Sequence, residues 1–561
     1  MAETDGQENE VVIEEKSNVV NHYNSDLDPQ HAEYAAKTPS EASSNYLSGW
    51  RLHTTTFALC LSIWLATLEI SIVSTSLISI TDDLLGFSKS SWIIIAYLLT
   101  YTCFFIIWAK ISDLFGRKLC IIVAVFLFTV FSGGSGAAQT ITQLIICRAF
   151  QGIGGSGAYS LTVVIFFEMV PETKYALYTS MVSIVFALAM LLGPVIGGAI
   201  SSNTTWRWVF LLNVPAGVVA IILLLFTIPS HFPHQDQRSD KARYSLGFPP
   251  ASSLRRLDGL GFLLFLAACL LLLTSLQLAG LDFSWSSAAV LSLLIISIVL
   301  WPIFILWEWH VTRKAGVVEP IFPWRLMTNR VWMAMALTNF LCGISYTVPV
   351  VEIPLRFQSV YGTSPLRAGT SLLAFAIMTA VGSFWAAMVA SKFKVPPVFI
   401  LIIGAGLQVV GAALLSTIPI EENIWPGQYG YQVLLGLGMG ANGALLAVMT
   451  PFAIYKRDQS VAMGAITQFR MMGGAVGLAI ATCVFNGYVK SRLSDVLSAA
   501  QLGAVLQTAE AIGKLPPALQ DMVKEVFARA FAVQFRIIIG TSAAQFLGIG
   551  LMWQKKLLRV A

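Results

Sequence analysis

Long apolar stretches fill this 561-residue sequence, and each is long enough to form a helix across a lipid bilayer. A helix needs roughly 20 consecutive apolar residues to cross the hydrocarbon core. A soluble core could not bury this much apolar surface, so the predicted fold class is an all-α polytopic membrane protein. We predict 14 transmembrane helices, at 54–78, 91–111, 119–137, 144–168, 175–200, 208–229, 258–280, 286–309, 331–355, 367–390, 396–418, 429–453, 460–488 and 534–553.

The composition argues against several classes of protein. Charged residues make up 12% of the chain, against roughly 25% in soluble domains. A formal net charge of +5 is too small to indicate a nucleic-acid partner. None of the 7 Cys has CxxC spacing, the 6 His are scattered, and the polar segments contain no G-x-x-x-x-G-K-S/T motif. We therefore expect no enzyme, no metal site, no cofactor and no ATP-driven pump.

The distribution of Lys and Arg predicts the orientation in the membrane. An even number of helices puts both termini on the same side, and 23 of the 35 Lys and Arg residues fall on that side. The opposite side carries 10, of which 6 lie in the single long segment 489–536. Short positively charged loops stay in the cytoplasm, whereas long segments carry little weight. We expect a multi-pass protein of the cell membrane, or of the vacuolar membrane, with both termini cytoplasmic.

The spans divide into two groups of six with two inserted helices between them. Glycine-rich patterns at 152–157 in span 4 and 193–198 in span 5 have counterparts at 436–441 in span 12 and 473–477 in span 13. Parallel repeats of six helices form two-lobed transporters that bind substrate between the lobes. The expected domains are a disordered cytoplasmic N-tail (1–50), an N-terminal lobe (51–230), a linker (231–257), two inserted helices (258–309), a second linker (310–330), a C-terminal lobe (331–553) that includes an extracellular segment (489–530), and a cytoplasmic C-tail (554–561).

The pattern G-x-G-x-x-G occurs twice, at 152–157 and 438–443. A dinucleotide site would need this pattern after a strand in a soluble βαβ unit. Both copies lie within apolar spans, so we interpret them as glycines that let membrane helices pack closely.

The loop after span 2 combines basic residues with one carboxylate and reads AKISDLFGRK over 109–118. It resembles the signature Gly-x-Leu-x-Asp-Arg-x-Gly-Arg-Lys of the major facilitator superfamily, with Ala109 and Leu114 in place of the first Gly and the first Arg. An ordinary positively charged cytoplasmic loop would not explain the Asp and Gly at this spacing. The resemblance implies that the loop caps a neighbouring helix and holds a cytoplasmic gate closed through Asp113, Gly116, Arg117 and Lys118.

Two of the ionisable residues within the predicted spans lie in recognisable sequence patterns. Arg148 begins Arg-Ala-Phe-Gln-Gly in span 4, which resembles the superfamily's Arg-x-x-Gln-Gly motif, whose Arg is associated with proton transfer in antiporters. Glu69 lies in span 1, where the 14-helix drug:proton antiporter branch has Asp. A charge in a bilayer costs at least ~2.5 kcal/mol. We expect Glu69 and Arg148 to form a proton-responsive pair. Alternatively, helix carbonyls satisfy Arg148, and Glu69 only pairs with a nearby cation.

Span 5 carries a further motif, Gly193-Pro194-Val-Ile-Gly197-Gly198. It resembles the superfamily's antiporter motif, which is typical of exporters. Pro removes a backbone hydrogen bond and bends a helix, while glycines flatten one helix face. The alternative interpretation is an ordinary kinked packing helix.

The resemblance covers roughly residues 50–555 and is strongest to fungal toxin and multidrug efflux pumps. It implies a monomer in the lipid bilayer that exports an amphipathic organic molecule, such as a toxin, secondary metabolite or antifungal drug, in exchange for protons. The alternative is proton-driven uptake, for example of siderophores.

Further polar and aromatic residues in the spans are candidates for a substrate cavity. They are Gln151, Gln468, Arg470, Asn339 and Tyr346, with Phe340, Phe375 and Trp385 as further aromatic candidates that could equally be packing residues. Glu352 in span 9 is buried or, alternatively, solvated near the outer end of its span. Asn203 begins the Asn-Thr-Thr sequon, which is a possible glycosylation site.

Overall fold

Helices make up nearly all of the described chain, because backbone groups in lipid must be hydrogen-bonded within their own segment. The computed structural model describes residues 46–84, 90–229, 232, 255–281, 283, 285–314, 316–419, 424–507, 510–555 and 557–560. The predicted N-tail up to residue 45 and most of the linker 231–257 lie outside these residues. Within the described residues, strand-like pairing is limited to an isolated bridge between Leu257 and Glu319.

Helices of the N-terminal lobe cover the first six predicted spans, and two inserted helices follow. They are α1 (Gly49–Asp83), α2 (Ser90–Cys103), α3 (Phe105–Phe115), α4 (Arg117–Ala137), α5 (Ile141–Met169), α6 (Tyr175–Asn203), α7 (Arg207–Leu211), α8 (Asn213–Thr227), α9 (Gly259–Leu281) and α10 (Ala288–Lys314).

Helices of the C-terminal lobe cover the last six predicted spans and the segment before the final one. They are α11 (Trp324–Thr328), α12 (Arg330–Ser359), α13 (Pro365–Thr370), α14 (Leu373–Lys392), α15 (Pro397–Ser416), α16 (Gly427–Ala453), α17 (Gln459–Leu493), α18 (Ala499–Gln507), α19 (Glu510–Gly513) and α20 (Pro517–Leu551).

The number of helices that could cross a membrane is consistent with the predicted 14 spans without fixing that number. Within the described residues, 12 helices are long and apolar enough, and the bent pair α2 and α3 raises this number to 13. The predicted span 175–200 corresponds to α6, which has 29 residues and is not among those 12.

Span 2 is bent by 47° where α2 meets α3. Side chains from other helices satisfy backbone groups at the bend. The Ile106 N–H donates to Gln468 Oε1 at 3.1 Å, and the Ser160 hydroxyl donates to the Phe105 carbonyl at 2.9 Å. A side chain that takes the place of a backbone partner is a recognised cause of helix kinks. No Pro or Gly lies at this bend, so no local sequence pattern predicts it.

The described part of the segment before the last span is largely helical. The final helix α20 begins at Pro517, inside the predicted extracellular segment 489–530. The short helices α18 and α19 precede it. Val489 and Leu493 of α17 pack in one apolar cluster with Val505, Phe527 and Phe531. This cluster holds the segment against the ends of α17 and α20.

The two lobes repeat the same helix contacts. Spans 1 and 5 pack together as α1 and α6, and spans 9 and 13 as α12 and α17. Spans 3 and 4 (α4 and α5) likewise match spans 11 and 12 (α15 and α16). Between the lobes, α3 packs on α17 and α6 packs on α14, so the second span of each lobe meets the fifth span of the other. The predicted fold class, two six-helix lobes plus two inserted helices, is therefore confirmed.

Glycines of spans 4 and 12 bring helix backbones into close contact, as predicted. A Cβ added at Gly154 would lie 2.4 Å from the Phe128 nitrogen, and one at Gly440 would lie 1.9 Å from the Thr379 oxygen. The packing interpretation is wrong for Gly443, because a Cβ there would meet only Arg470 Nη1, at 3.5 Å.

We expect Gly440→Ala to destabilise the protein, because the added methyl group would push α16 away from the backbone of α14. Overpacking of this kind costs roughly 1–3 kcal/mol. The melting temperature of the purified protein should fall by several degrees. Gly430→Ala in the same helix is the control, since a Cβ there meets no atom within 4 Å. Equal melting temperatures for the two variants would contradict the proposed backbone contact.

Candidate functional site

A buried ion pair joins α1 to α5. Arg148 Nη1 lies 2.5 Å from Glu69 Oε1, and the two side chains are 1% and 0% exposed. Arg148 Nε also donates to the Ile93 carbonyl at 3.0 Å, and the guanidinium lies over the Tyr97 ring at 4.3 Å. Pairing, a carbonyl contact and an aromatic face together offset the removal of these charges from water.

Amide side chains from neighbouring helices extend this pair into a network. Asn213 Nδ2 donates to Glu69 Oε2 at 2.5 Å. Arg148 Nη1 also donates to Gln151 Oε1 at 2.8 Å, and Gln151 Nε2 donates to Ser132 Oγ at 2.7 Å. We call Glu69, Arg148, Gln151, Asn213 and Ser132 the Arg148 network. It connects α1, α4, α5 and α8, so a change in the charge of Glu69 would act on four helices.

The loop between α3 and α4 builds a second cluster around a buried Arg. Arg117 Nη2 lies 2.5 Å from Asp113 Oδ1 and 2.8 Å from Glu168 Oε1. The same guanidinium donates to Ser112 Oγ at 2.5 Å and to Ser460 Oγ. We call these five residues the Arg117 cluster. Ser460 belongs to α17, so the cluster joins the two lobes.

The remaining residues of this loop have structural contacts. Gly116 has φ 92°, a conformation that side-chain-bearing residues avoid, and it lets the chain pass from α3 directly into α4. The Lys118 ammonium donates to the Leu225 carbonyl of α8 at 2.6 Å. Of the predicted gate residues, Asp113 and Arg117 therefore meet in an ion pair, while Lys118 binds within its own lobe.

A third set of contacts ties the linker after α10 to the N-terminal lobe. Glu319 accepts from Lys110 Nζ at 2.9 Å and also pairs with Arg256. Partial burial acts to raise the pKa of Glu319, but hydrogen bonds and charges from Lys110 and Arg256 outweigh it and lower that pKa. Arg325 of α11 similarly pairs with Asp458, just before α17. The sequence interpretation missed both pairs, because their partners lie far apart in the chain.

The predicted antiporter motif packs α6 against α1. A Cβ at Gly193 would lie 1.9 Å from Ser71 Oγ, so only glycine allows this approach. Gly197 is buried, whereas a Cβ at Gly198 would meet no atom within 4 Å. The helix continues through Pro194 to Asn203. Close packing is thus a property of Gly193 and does not extend to Gly198.

A cavity of about 120 Å³ lies between the lobes. Side chains of α5, α6, α12, α14, α16 and α17 line it, among them three of the five predicted cavity residues, Arg470, Asn339 and Tyr346. Drug-sized ligands occupy sites of roughly 300–1,000 Å³, so the lobes must separate to admit one. The sequence interpretation missed Tyr159, whose hydroxyl accepts from Arg470 Nη2 at 2.9 Å.

Two of the five predicted cavity residues lie elsewhere. Gln151 belongs to the Arg148 network, and Gln468 binds the bend in span 2. Gln151 accepts from Arg148 of its own helix and donates to Ser132 of α4, whereas Gln468 accepts from the Ile106 N–H of α3. Neither residue lines the cavity. Trp385 is also wrong as a cavity candidate, since it is 60% exposed on the outside of the bundle.

The structure also gives the positions of Glu352 and Asn203, which lie outside the sites described above. Glu352 is buried, at 4% exposure, which contradicts the solvated alternative. Asn203 lies at the exposed end of α6, where its amide donates to the Ala199 carbonyl at 2.9 Å. Within the described residues, no group of three His, Cys, Asp or Glu side chains could hold a metal ion.

Two helical lobes around a cavity, with an inter-lobe cluster and a buried ion pair, define a membrane transporter of the two-lobed type. Residues 59–478 match the sequence profile described as Major Facilitator Superfamily. This match covers well over half of the chain, so the chain belongs to the Major Facilitator Superfamily.

Curated relatives and solved structures agree with this assignment. The MFS-type transporter FPY5 of Fusarium mangiferae is 40% identical over 511 residues, which cover 91% of this chain and 85% of that protein. The rubrofusarin-specific efflux pump aurT of Gibberella zeae is 29% identical over 459 residues, covering 81% of this chain and 80% of that protein. A bacterial homolog of the human lysosomal transporter Spinster, solved in an inward-facing and unoccupied conformation, matches the fold with a TM-score of 0.58 at 14% identity, covering 91% of this chain and 100% of that one.

We expect Arg117→Gln to destabilise the protein by roughly 1.5–3 kcal/mol, because Asp113 and Glu168 lose a charged hydrogen-bond partner. Arg117→Lys should recover part of this loss. Melting temperatures of the purified variants give the measurement. Arg529→Gln is the control, since its ion pair with Glu525 is exposed and worth about 0–1 kcal/mol. A shift for Arg117→Gln no larger than that of the control would show that the buried cluster contributes little.

Proposed function

We propose that this transporter is a secondary active exporter, which moves an amphipathic organic molecule out of the cytoplasm while protons move inward. The observation that carries the proposal is the ion pair of Glu69 and Arg148, fully buried in the N-terminal lobe. A carboxylate held by one guanidinium in a dry environment has two distinct charge states, and only the ionised one is compensated.

Protonation of Glu69 would change the forces between helices. It would leave Arg148 charged and without an ionic partner, and breaking a buried pair in this way costs roughly 3–5 kcal/mol. Reversing a two-state population from 1:99 to 99:1 takes about 5.5 kcal/mol. The proton is therefore able to supply most of the free energy needed to shift the lobes between two conformations. Asn213 would transmit the change to α8 through its contact with Glu69.

The Arg117 cluster would act as the gate. Its bond to Ser460 crosses between the lobes, so breaking it would free that side of the interface. We place this side in the cytoplasm, together with both termini, because most Lys and Arg of the short loops lie there. We further propose a monomer in the plasma or vacuolar membrane, with the domain boundaries given above, and Asn203 on the opposite face.

Two observations favour export over uptake. The relatives include a protein named as an efflux pump for rubrofusarin, which points to secondary-metabolite export. The close approach of α6 to α1 at Gly193 also matches the exporter-type motif. Proton-driven uptake of a compound such as a siderophore is the outcome that the transport experiment must exclude.

The experiment reconstitutes the full chain in liposomes that are first equilibrated with a fluorescent dye on both sides of the membrane. A panel of acidic, neutral and basic amphipathic dyes is tested. With an acidic lumen, an antiporter accumulates dye inside in either orientation, because protons leave as dye enters. A symporter instead releases dye with the protons. Protein-free liposomes give the background. Dye movement at the same rate with and without the proton gradient would overturn proton coupling. Release of dye from the acidic lumen would show that the protein is a proton-driven uptake transporter.

We expect Glu69→Gln to abolish the response of dye movement to the proton gradient, because Gln cannot change its charge. The measurement is the initial rate of dye accumulation with and without an acidic lumen. Glu525→Gln is the control, since Glu525 is an exposed carboxylate on α20. A melting temperature close to that of the wild type would show that the loss is not one of folding. Unchanged gradient dependence would remove Glu69 from the mechanism.

A further inference from the structure

Two Arg residues within the membrane spans have opposite surroundings: Arg148 is buried, and Arg470 is partly buried. Arg148 has Glu69 as its partner, whereas no carboxylate of the described residues lies within 4.0 Å of Arg470. Arg470 donates one hydrogen bond, to the Tyr159 hydroxyl, although a guanidinium carries five N–H donors. An uncompensated guanidinium within a membrane bundle is costly and marks a functional site.

The position of Arg470 directs this charge into the central cavity. Arg470 lines the cavity, and among the described residues of the lining it is the one with a formal charge, since they include no Asp, Glu or Lys. Gly443 of α16 also lines the cavity and presents no side chain toward Arg470. On the side of Gly443, therefore, no side chain of that residue blocks the approach of a ligand to the guanidinium.

A second polar group of the cavity lining also lacks a partner. Asn339 is 4% exposed, and its amide nitrogen donates to the Ile466 carbonyl at 2.6 Å. Its Oδ1 atom is buried without a hydrogen-bond partner among the described residues. Buried acceptors in this state cost about 1–3 kcal/mol. A ligand with a hydroxyl or N–H group could satisfy the Asn339 oxygen.

Two aromatic rings of the lining could contact a flat ring system of the ligand. Phe186 and Tyr346 face each other edge to face across the lobe interface, with ring centroids 5.7 Å apart. These rings come from α6 and α12, so a planar molecule could contact both lobes. Aromatic contacts of this kind favour flat ring systems.

Building on the proposed export function, we propose that the substrate is an aromatic organic anion. Its carboxylate, or an equivalent acidic group, pairs with Arg470, and a ligand hydroxyl donates to Asn339 Oδ1. The ligand thereby supplies the negative charge that Arg470 lacks among the described residues. An anion is preferred over a neutral molecule because a guanidinium binds a carboxylate through two charge-assisted hydrogen bonds.

The test measures direct binding to the purified full chain in detergent, with no proton gradient. The probe is 6-hydroxy-2-naphthoic acid, compared with its methyl ester by isothermal titration calorimetry at pH 7.5. Five further aromatic acids of different lengths are each compared with their own ester. We expect at least one acid to bind about 10- to 100-fold more tightly than its ester, as a charged hydrogen bond predicts.

Variants of Arg470 separate a binding role from a structural one. Arg470→Gln should remove the preference for the acid and leave ester affinity within about threefold, and Arg470→Lys should keep part of the preference. Arg529→Gln changes an exposed Arg on α20 and should retain the full preference. If Arg470→Gln fails to fold, the acid-to-ester ratio of the wild type still decides.

The proposal is overturned if no acid binds more tightly than its ester, or if Arg470→Gln weakens acid and ester equally. Failure of the proposed function has a different signature, because dye movement would then ignore the proton gradient while the preference for acids persisted. Coupled transport without any preference for acids would overturn the anion proposal alone.

Discussion

Charges and polar groups in lipid must find their partners inside the protein, and this constraint organises the whole bundle. The partners come from different helices. Arg148 of α5 meets Glu69 of α1, and Asn213 of α8 binds the same carboxylate. Gln468 of α17 satisfies the backbone at the bend between α2 and α3. Each polar contact therefore fixes the position of one helix relative to another, and a change of charge at one point becomes a force on several helices.

Close glycine contacts occur within each lobe, and Gly464 of α17 also approaches Ala109 of α3 across the lobe interface. Within each lobe, glycines such as Gly154 and Gly440 let backbones touch, so the six helices of a lobe are packed as one body. Between the lobes, hydrogen bonds join Arg117 to Ser460 and Ile106 to Gln468. A hydrogen bond to a charged group such as Arg117 contributes roughly 1.5–3 kcal/mol, and a neutral one such as that of Gln468 roughly 0.5–1.5 kcal/mol. In the proposed transport cycle, these contacts between the lobes would break while the glycine contacts within each lobe remain.

The residues of the site that the sequence identified are those whose chemistry is unusual for a membrane span. Glu69, Arg148 and Arg470 are ionisable residues in apolar stretches, and the Asp113 to Lys118 loop has a recognisable spacing. Gln151 and Gln468 were assigned to the cavity wrongly, because a nearly uniform apolar pattern does not tell which face of a helix meets the cavity. Glu168 and Ser460 were missed as partners of Arg117, since they are 51 and 343 residues away in the chain.

The sequence by itself determined the membrane class, the approximate spans, the two repeated lobes and the positions of the buried charges. Lipid permits so few solutions for the backbone that apolar length alone predicts helices. The tertiary structure decided which charges are compensated: Arg148 has a carboxylate and Arg470 has a tyrosine. It also decided that span 2 bends and that the segment before α20 packs as helices. These features depend on contacts between residues far apart in the chain, and no local pattern carries that information.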